Sequence, residues 1–181
     1  MKNGQNETVI SNLAKELGIP ELKSGKIIIR DERDWRINEK EIDYCWLINV
    51  SKSFIGWCWL FSVKFEQSEF REMQNSEELI QGIFTVNSAG EIENLYKEIL
   101  TSQFQDEIRD LTAYDLFDAN KGITLDGVSY EYIVIARNTK INMSLSNPNS
   151  DNWKKWEDKV EVLGRSISQK SGIAELKEMF K

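Results

Sequence analysis

Histidine is absent from this 181-residue chain. Without an imidazole, every mechanism that rests on a histidine base, phosphate carrier or metal ligand is excluded. Proline occurs twice and glycine ten times, which does not fit a collagen-like or low-complexity chain, and no Pro- or Gly-rich linker divides it. No two glycines stand two residues apart, so GxGxxG is missing, and no Walker loop is present. The usual backbone cradles for nucleotide phosphates are therefore out. The two cysteines, Cys45 and Cys58, are too few for a disulfide framework or a Cys-rich zinc site, and they fit a reducing cytoplasm. No apolar run approaches the roughly eighteen residues of a membrane span. Asn3, Gln5, Asn6 and Glu7 stand where a signal peptide would place its apolar segment, so a cytoplasmic protein is expected, away from membranes.

What is present is apolar and acidic. Hydrophobic residues make up 40 % of the chain, with six Trp and eight Phe, and a chain of this size buries about 70 % of its unfolded surface. One compact domain is the expectation. The net charge of −7 is unevenly spread: residues 1–65 carry +1, 66–118 carry −10, 119–136 carry −1 and 137–181 carry +3. Phosphate neutralisation needs clustered Lys and Arg, so the balance argues against nucleic acid and for a basic protein partner.

Periodicity gives the elements. Val9, Ile10, Leu13 and Leu17 share one side of a helix at about 7–17, stopped by Gly18 and Pro20. Alternating, aromatic-rich runs at Lys26–Asp31, Glu41–Val50 and Phe54–Phe65 read as antiparallel strands, with Ser51-Lys52-Ser53 as a hairpin loop. In the third, Ile55, Trp57, Trp59, Phe61, Val63 and Phe65 fall on one face, which should be buried. Polar Glu66–Glu78 reads as a loop or a frayed helical excursion before a strand at about Leu79–Val86. Ser88 and Glu91 match a capping box, and Ile92, Leu95, Tyr96 and Ile99 then predict a helix over 91–102. Val128–Arg137 and Lys140–Ser146 alternate and form a hairpin about Asn138-Thr139. A helix over 151–168 carries Trp153, Trp156, Val160, Leu163 and Ile167, and a short terminal helix follows Gly172. The fold class is α+β: a mainly antiparallel sheet of six or seven strands with the 91–102 and 151–168 helices on one face.

Few motifs carry chemistry. Asp115, Asp118, Asn120 and Asp126 crowd a glycine-containing loop, yet counted from Asp118 the glycine, Gly122, falls at position five and no glutamate stands at position twelve. The EF-hand pattern therefore fails, and no metal or cofactor is implied. Asp126 and Glu131 are the nearest approach to a paired-carboxylate acid/base site. Thirty carboxylates make such pairs easy to find. Cys45 and Cys58 lie inside strands, where nothing lowers a thiol pKa, and read as buried inert thiols. The Asn147–Asp151 turn opens a helix whose first amides suit an anion, although Ser150 or Asp151 can cap them instead. Trp46, Trp57, Trp59, Trp153 and Trp156 are core at their spacing, or else line a ligand groove. No catalytic residue is assigned.

The run Leu125-Asp126-Gly127-Val128-Ser129-Tyr130, followed by Ser146-Asn147-Pro148-Asn149-Ser150-Asp151-Asn152-Trp153, resembles a pattern in small uncharacterised bacterial α+β proteins, some of the toxin-immunity type. It covers about a fifth of the chain. The resemblance implies a fold and, through its immunity members, a toxin-binding role; it transfers no catalytic residue. The expected function is thus a non-enzymatic protein-binding domain that neutralises a basic toxin. Its expected contacts are Glu66, Glu69, Glu72, Glu77, Glu78, Asp106, Glu107, Asp110, Asp115 and Asp118. The competing expectation is a small-molecule-binding or carboxylate-based enzymatic domain with an aromatic pocket.

Overall fold

The computed structural model describes residues 3–30, 37–68, 75–100, 127–136, 139–148 and 150–181. Helix α1 (Asn3–Glu16) leads into strands β1 (Lys26–Arg30), β2 (Ile37–Lys52), β3 (Gly56–Ser68), β4 (Asn75–Val86), β5 (Ile92–Leu100), β6 (Val128–Ala136) and β7 (Thr139–Ser146). Helices α2 (Asp151–Ser171) and α3 (Ala174–Met179) close the chain. The strands make one antiparallel sheet in the order β5-β4-β3-β2-β6-β7, with β1 also paired to β2. The fold is α+β, a seven-strand antiparallel sheet with C-terminal helices packing on it.

Strand β2 is long enough to share one edge between two partners. Its residues 37–41 pair with β1 and its residues 44–52 with β6. Between the two stretches the β2–β3 register slips, Ile42 facing Phe65 and Tyr44 facing Lys64, so Asp43 is an extra residue. A bulge of this kind turns the following side chains to the other face. Ile42 and Cys45, three apart, consequently join the same apolar layer.

Both faces of the sheet are covered. On one side Val9, Leu13 and Ala14 of α1 pack with Cys45, Trp59 and Phe84. On the other, Trp153, Trp156 and Val160 of α2 pack with Trp46, Leu60 and Tyr130. Helix α2 runs three residues past its expected end. Ser150 caps its start by accepting from the Trp153 amide at 3.4 Å, and Gly172, at φ 74°, ends it. The α2 interior holds Gly164, where an added Cβ would come within 2.2 Å of the Phe180 ring. A side chain there would push α3 off α2.

Within the expected helix over 91–102, Ile92–Leu100 is a strand instead, and residues 101–102 lie outside the described residues. Asn87 makes the turn: its side-chain carbonyl accepts from the amides of Ala89 and Glu91, at 2.9 and 3.0 Å. Val86 then faces Ile92 while Thr85 faces Asn94, so Glu93 is an extra residue. That slip puts Ile92 and Leu95 on the α1 side, whereas Tyr96 joins the α2 side. A bulged strand with half-buried apolar residues on both faces thus reproduces a helical stripe in sequence. With Ile92–Leu100 a strand, the expected pair of helices on one face is replaced by α2 and α3 there and α1 opposite.

Three smaller corrections follow from the pairing. Glu66–Ser68 continue β3 and Asn75–Glu78 begin β4, so the expected loop over 66–78 is shorter than its polarity suggests. Lys52 pairs with Gly56, which moves the hairpin loop to Ser53-Phe54-Ile55, with Phe54 at φ 65°. Ile55 and Trp57 accordingly lie at the sheet's end and are exposed, Trp57 by 42 %, while Trp59, Phe61, Val63 and Phe65 are buried as expected. In the last hairpin Ala136 faces Thr139; the two residues between them lie outside the described residues.

Candidate functional site

The acidic residues are best located by register. At the end of the sheet where β1 pairs with β2, Lys26 faces Glu41, Glu41 faces Glu66, and Glu66 faces Glu77. Three glutamates therefore stand side by side on β2, β3 and β4, with one lysine at the outer position. Because Ile42 and Phe65 next to them belong to the α1 side, the Glu41 and Glu66 side chains are on the side of α2. Like charges at directly opposed positions destabilise a sheet. Burial gives no reason for them, since Glu41 and Glu66 are only half-buried.

Glu78 is placed differently. It faces Phe65 and so belongs to the α1 side. Lys40 donates to its carboxylate at 2.8 Å and stands 5.1 Å above the Phe65 ring. This half-buried pair ties β2 to β4 across β3. Glu69, Glu72, Asp106, Glu107, Asp110, Asp115 and Asp118 lie outside the described residues, as do Asn120, Gly122 and Asp126 of the failed calcium pattern. Glu41 was not among the expected contacts. It belongs to a segment of nearly balanced charge, and only strand register brings it beside Glu66.

The other candidates are accounted for by structure. Glu131 accepts from the Asn6 side chain at 2.8 Å, tying β6 to α1. Cys45 and Cys58 are buried free thiols in layers on opposite faces of the sheet, and burial pushes both thiols far up from their ordinary value. Trp46, Trp59, Trp153 and Trp156 are core. The rings of Trp153, Tyr130 and Tyr132 each meet Trp156 edge-on, with centroids 5.1 to 5.9 Å apart, so these aromatics pack against one another. Among the described residues no group of three or more Cys, Asp or Glu is arranged to hold a metal, and no helix is long and apolar enough to cross a membrane.

Compared with known proteins, the chain matches no family model, no curated protein and no solved structure.

Proposed function

We propose that this chain is a non-enzymatic, cytoplasmic protein-binding domain that captures a basic protein, in the manner of an immunity protein holding a toxin. The observation that supports the reading is the row Glu41–Glu66–Glu77. A cationic surface laid across these acidic register positions would be attracted to them. The excess of ten negative charges over residues 66–118 adds a long-range field that would speed the encounter. Buried, unpaired thiols agree with a reducing compartment.

The test compares two double variants of equal net charge. Glu66→Lys with Glu77→Lys, and Glu175→Lys with Glu178→Lys, each change the chain from −7 to about −3 by two reversals of sign. Capture of a partner from host lysate should weaken at least tenfold, or about 1.4 kcal/mol, for the first variant alone. Wild-type capture should also fall steeply between about 0.05 and 0.3 M salt as the Debye length shrinks. Equal capture by both variants, with a salt dependence matching wild type, would sink the reading.

A further inference from the structure

The two ends of the sheet are protected unequally. Strand β5 carries Glu93, Lys97 and Glu98 and is bulged at its start. Lys97 reaches back to the Glu16 carbonyl at the end of α1, and Glu98 is held by Lys170 of α2 at 2.9 Å. Charge, bulging and cover are the usual means of preventing a sheet edge from pairing with another chain. Strand β7, Thr139-Lys140-Ile141-Asn142-Met143-Ser144-Leu145-Ser146, has one charged residue, no proline and an unbroken register with β6. Ile141 is 46 % exposed and Ile99 of β5 67 %, so the two edges differ in charge, bulging and cover rather than in exposed apolar surface. Among the described residues no strand pairs with the outer edge of β7.

The sequence of β7 is nearly symmetric about Met143. Turned end for end, Ile141 lies opposite Leu145, Asn142 opposite Ser144, Lys140 opposite Ser146, and Met143 opposite itself. Apolar positions meet apolar ones, polar meet polar, and the lone lysine meets a serine. Ile141, Met143 and Leu145 face Val134, Tyr132 and Tyr130 of β6, so they continue the apolar layer beneath α2. Backbone direction agrees with this register. The Asn147 amide donates inward to the Val128 carbonyl at 2.9 Å, and alternation along an antiparallel pair then turns the amides and carbonyls of Lys140, Asn142, Ser144 and Ser146 outward. These are the residues the symmetric register would hydrogen-bond.

We propose that β7 is a homodimerisation edge: two copies pair antiparallel through β7, about a two-fold axis at Met143, into one continuous sheet of fourteen strands. The occupant is a second copy because a strand so nearly symmetric in pattern offers its best match to itself. A two-fold interface needs this self-complementarity.

Sedimentation velocity and cysteine crosslinking test the proposal together. Wild type at about 100 μM, well above the about 1–10 μM dissociation constant expected of a modest interface, should sediment at twice the 21.1 kDa chain mass. Ser144→Pro removes an outward amide that β6 does not use, so the fold should persist and the dimer should dissociate at least tenfold more readily. Unpaired opposed residues at such an axis hold their Cβ atoms about 4.5–5.5 Å apart, within disulfide reach after slight adjustment. Met143→Cys should therefore crosslink two copies under mild oxidation at least tenfold faster than Ser146→Cys, and the buried native thiols should not compete. A wild type that stays monomeric at that concentration overturns the proposal, leaving the edge to some other chain. So does a dimer that survives Ser144→Pro with equal crosslinking at both cysteines.

Discussion

The Tyr130 hydroxyl, on β6, donates to a carboxylate oxygen of Glu157, on α2, at 2.6 Å, and the same ring meets Trp156 edge-on at 5.1 Å. One side chain thus fixes α2 to the sheet by a charged hydrogen bond and by aromatic packing. Burial first, and then the bond to Glu157, raise the Tyr130 hydroxyl far above the ordinary tyrosine value.

The sign of the resulting pH dependence is definite. A group whose pKa is raised on folding contributes stability that is complete below its unfolded value, here about 10, and is lost progressively as pH rises above it. Wild type should therefore lose stability above about pH 10, and Tyr130→Phe should lose less over the same interval. At neutral pH the Phe variant should be weaker by about 1–2 kcal/mol, the lower part of the range for a hydrogen bond to a charged group, because half-buried Glu157 can recover water. Urea midpoints measured at pH 7 and in steps above pH 10 would check both statements.

The cysteines give a second test. Strand alternation and the Asp43 bulge place Cys45 among Trp59 and Phe61 on the α1 side, and Cys58 among Trp46 and Leu60 on the α2 side. A disulfide needs Cβ atoms about 4 Å apart, and the sheet lies between these two. Thiol reagent should label neither in the native protein and both after denaturation without reductant, and oxidation should yield no intramolecular bridge.

Legibility followed the regularity of the register. Strands β6 and β7 pair without a slip, so although β6 also buries Ile133 and Ile135 on its other face, their alternation could be read from Tyr130, Tyr132 and Val134 against Ile141, Met143 and Leu145. Helix α2, polar on one side and apolar on the other, was equally plain from Trp153, Trp156 and Val160. Strand β5 carries half-buried apolar residues on both faces across a bulge, so Ile92, Leu95 and Tyr96 imitated a helix, and local pattern alone could not separate the two. Of the candidate site, the sequence reported the charge of residues 66–118 but not that Glu78 pairs with Lys40 across β3. It also could not place Glu41 beside Glu66, because strand pairing is a long-range property.

Gly164 offers a third test, with two opposing effects. An alanine there gains about 1 kcal/mol of helix propensity in the middle of α2. Its Cβ, however, would come within 2.2 Å of Phe180, and overpacking of that kind costs about 1–3 kcal/mol. The Phe180 carbonyl also accepts from Arg165 at 3.2 Å, and Lys52 donates to the Met179 carbonyl at 2.6 Å, so the displaced ring takes polar contacts with it. Gly164→Ala should be destabilising by up to about 2 kcal/mol net. Hydrogen exchange should accelerate in α3 and leave β2–β3 unchanged; uniform acceleration would mean that α3 is no separate unit.

The last expectation separates the tryptophans. Trp156 is buried between α2 and β6 and touches three aromatic rings, whereas Trp57, at the end of β3 beside the exposed Phe54 and Ile55, keeps 42 % of its surface in water. Removing a buried aromatic leaves a cavity that the rigid sheet cannot close, so Trp156→Ala should cost about 3–5 kcal/mol. Trp57→Ala should cost about 1 kcal/mol or less, because much of the ring is already hydrated. Denaturation midpoints at constant slope would measure both. If the two variants lose stability equally, Trp57 packs as tightly as Trp156 in solution and the open hairpin end described for β2–β3 is wrong. If Trp156→Ala costs less than about 0.5 kcal/mol, the scale of ordinary surface changes, α2 does not seal the sheet and the edge-on contacts with Tyr130 and Tyr132 contribute nothing to the fold.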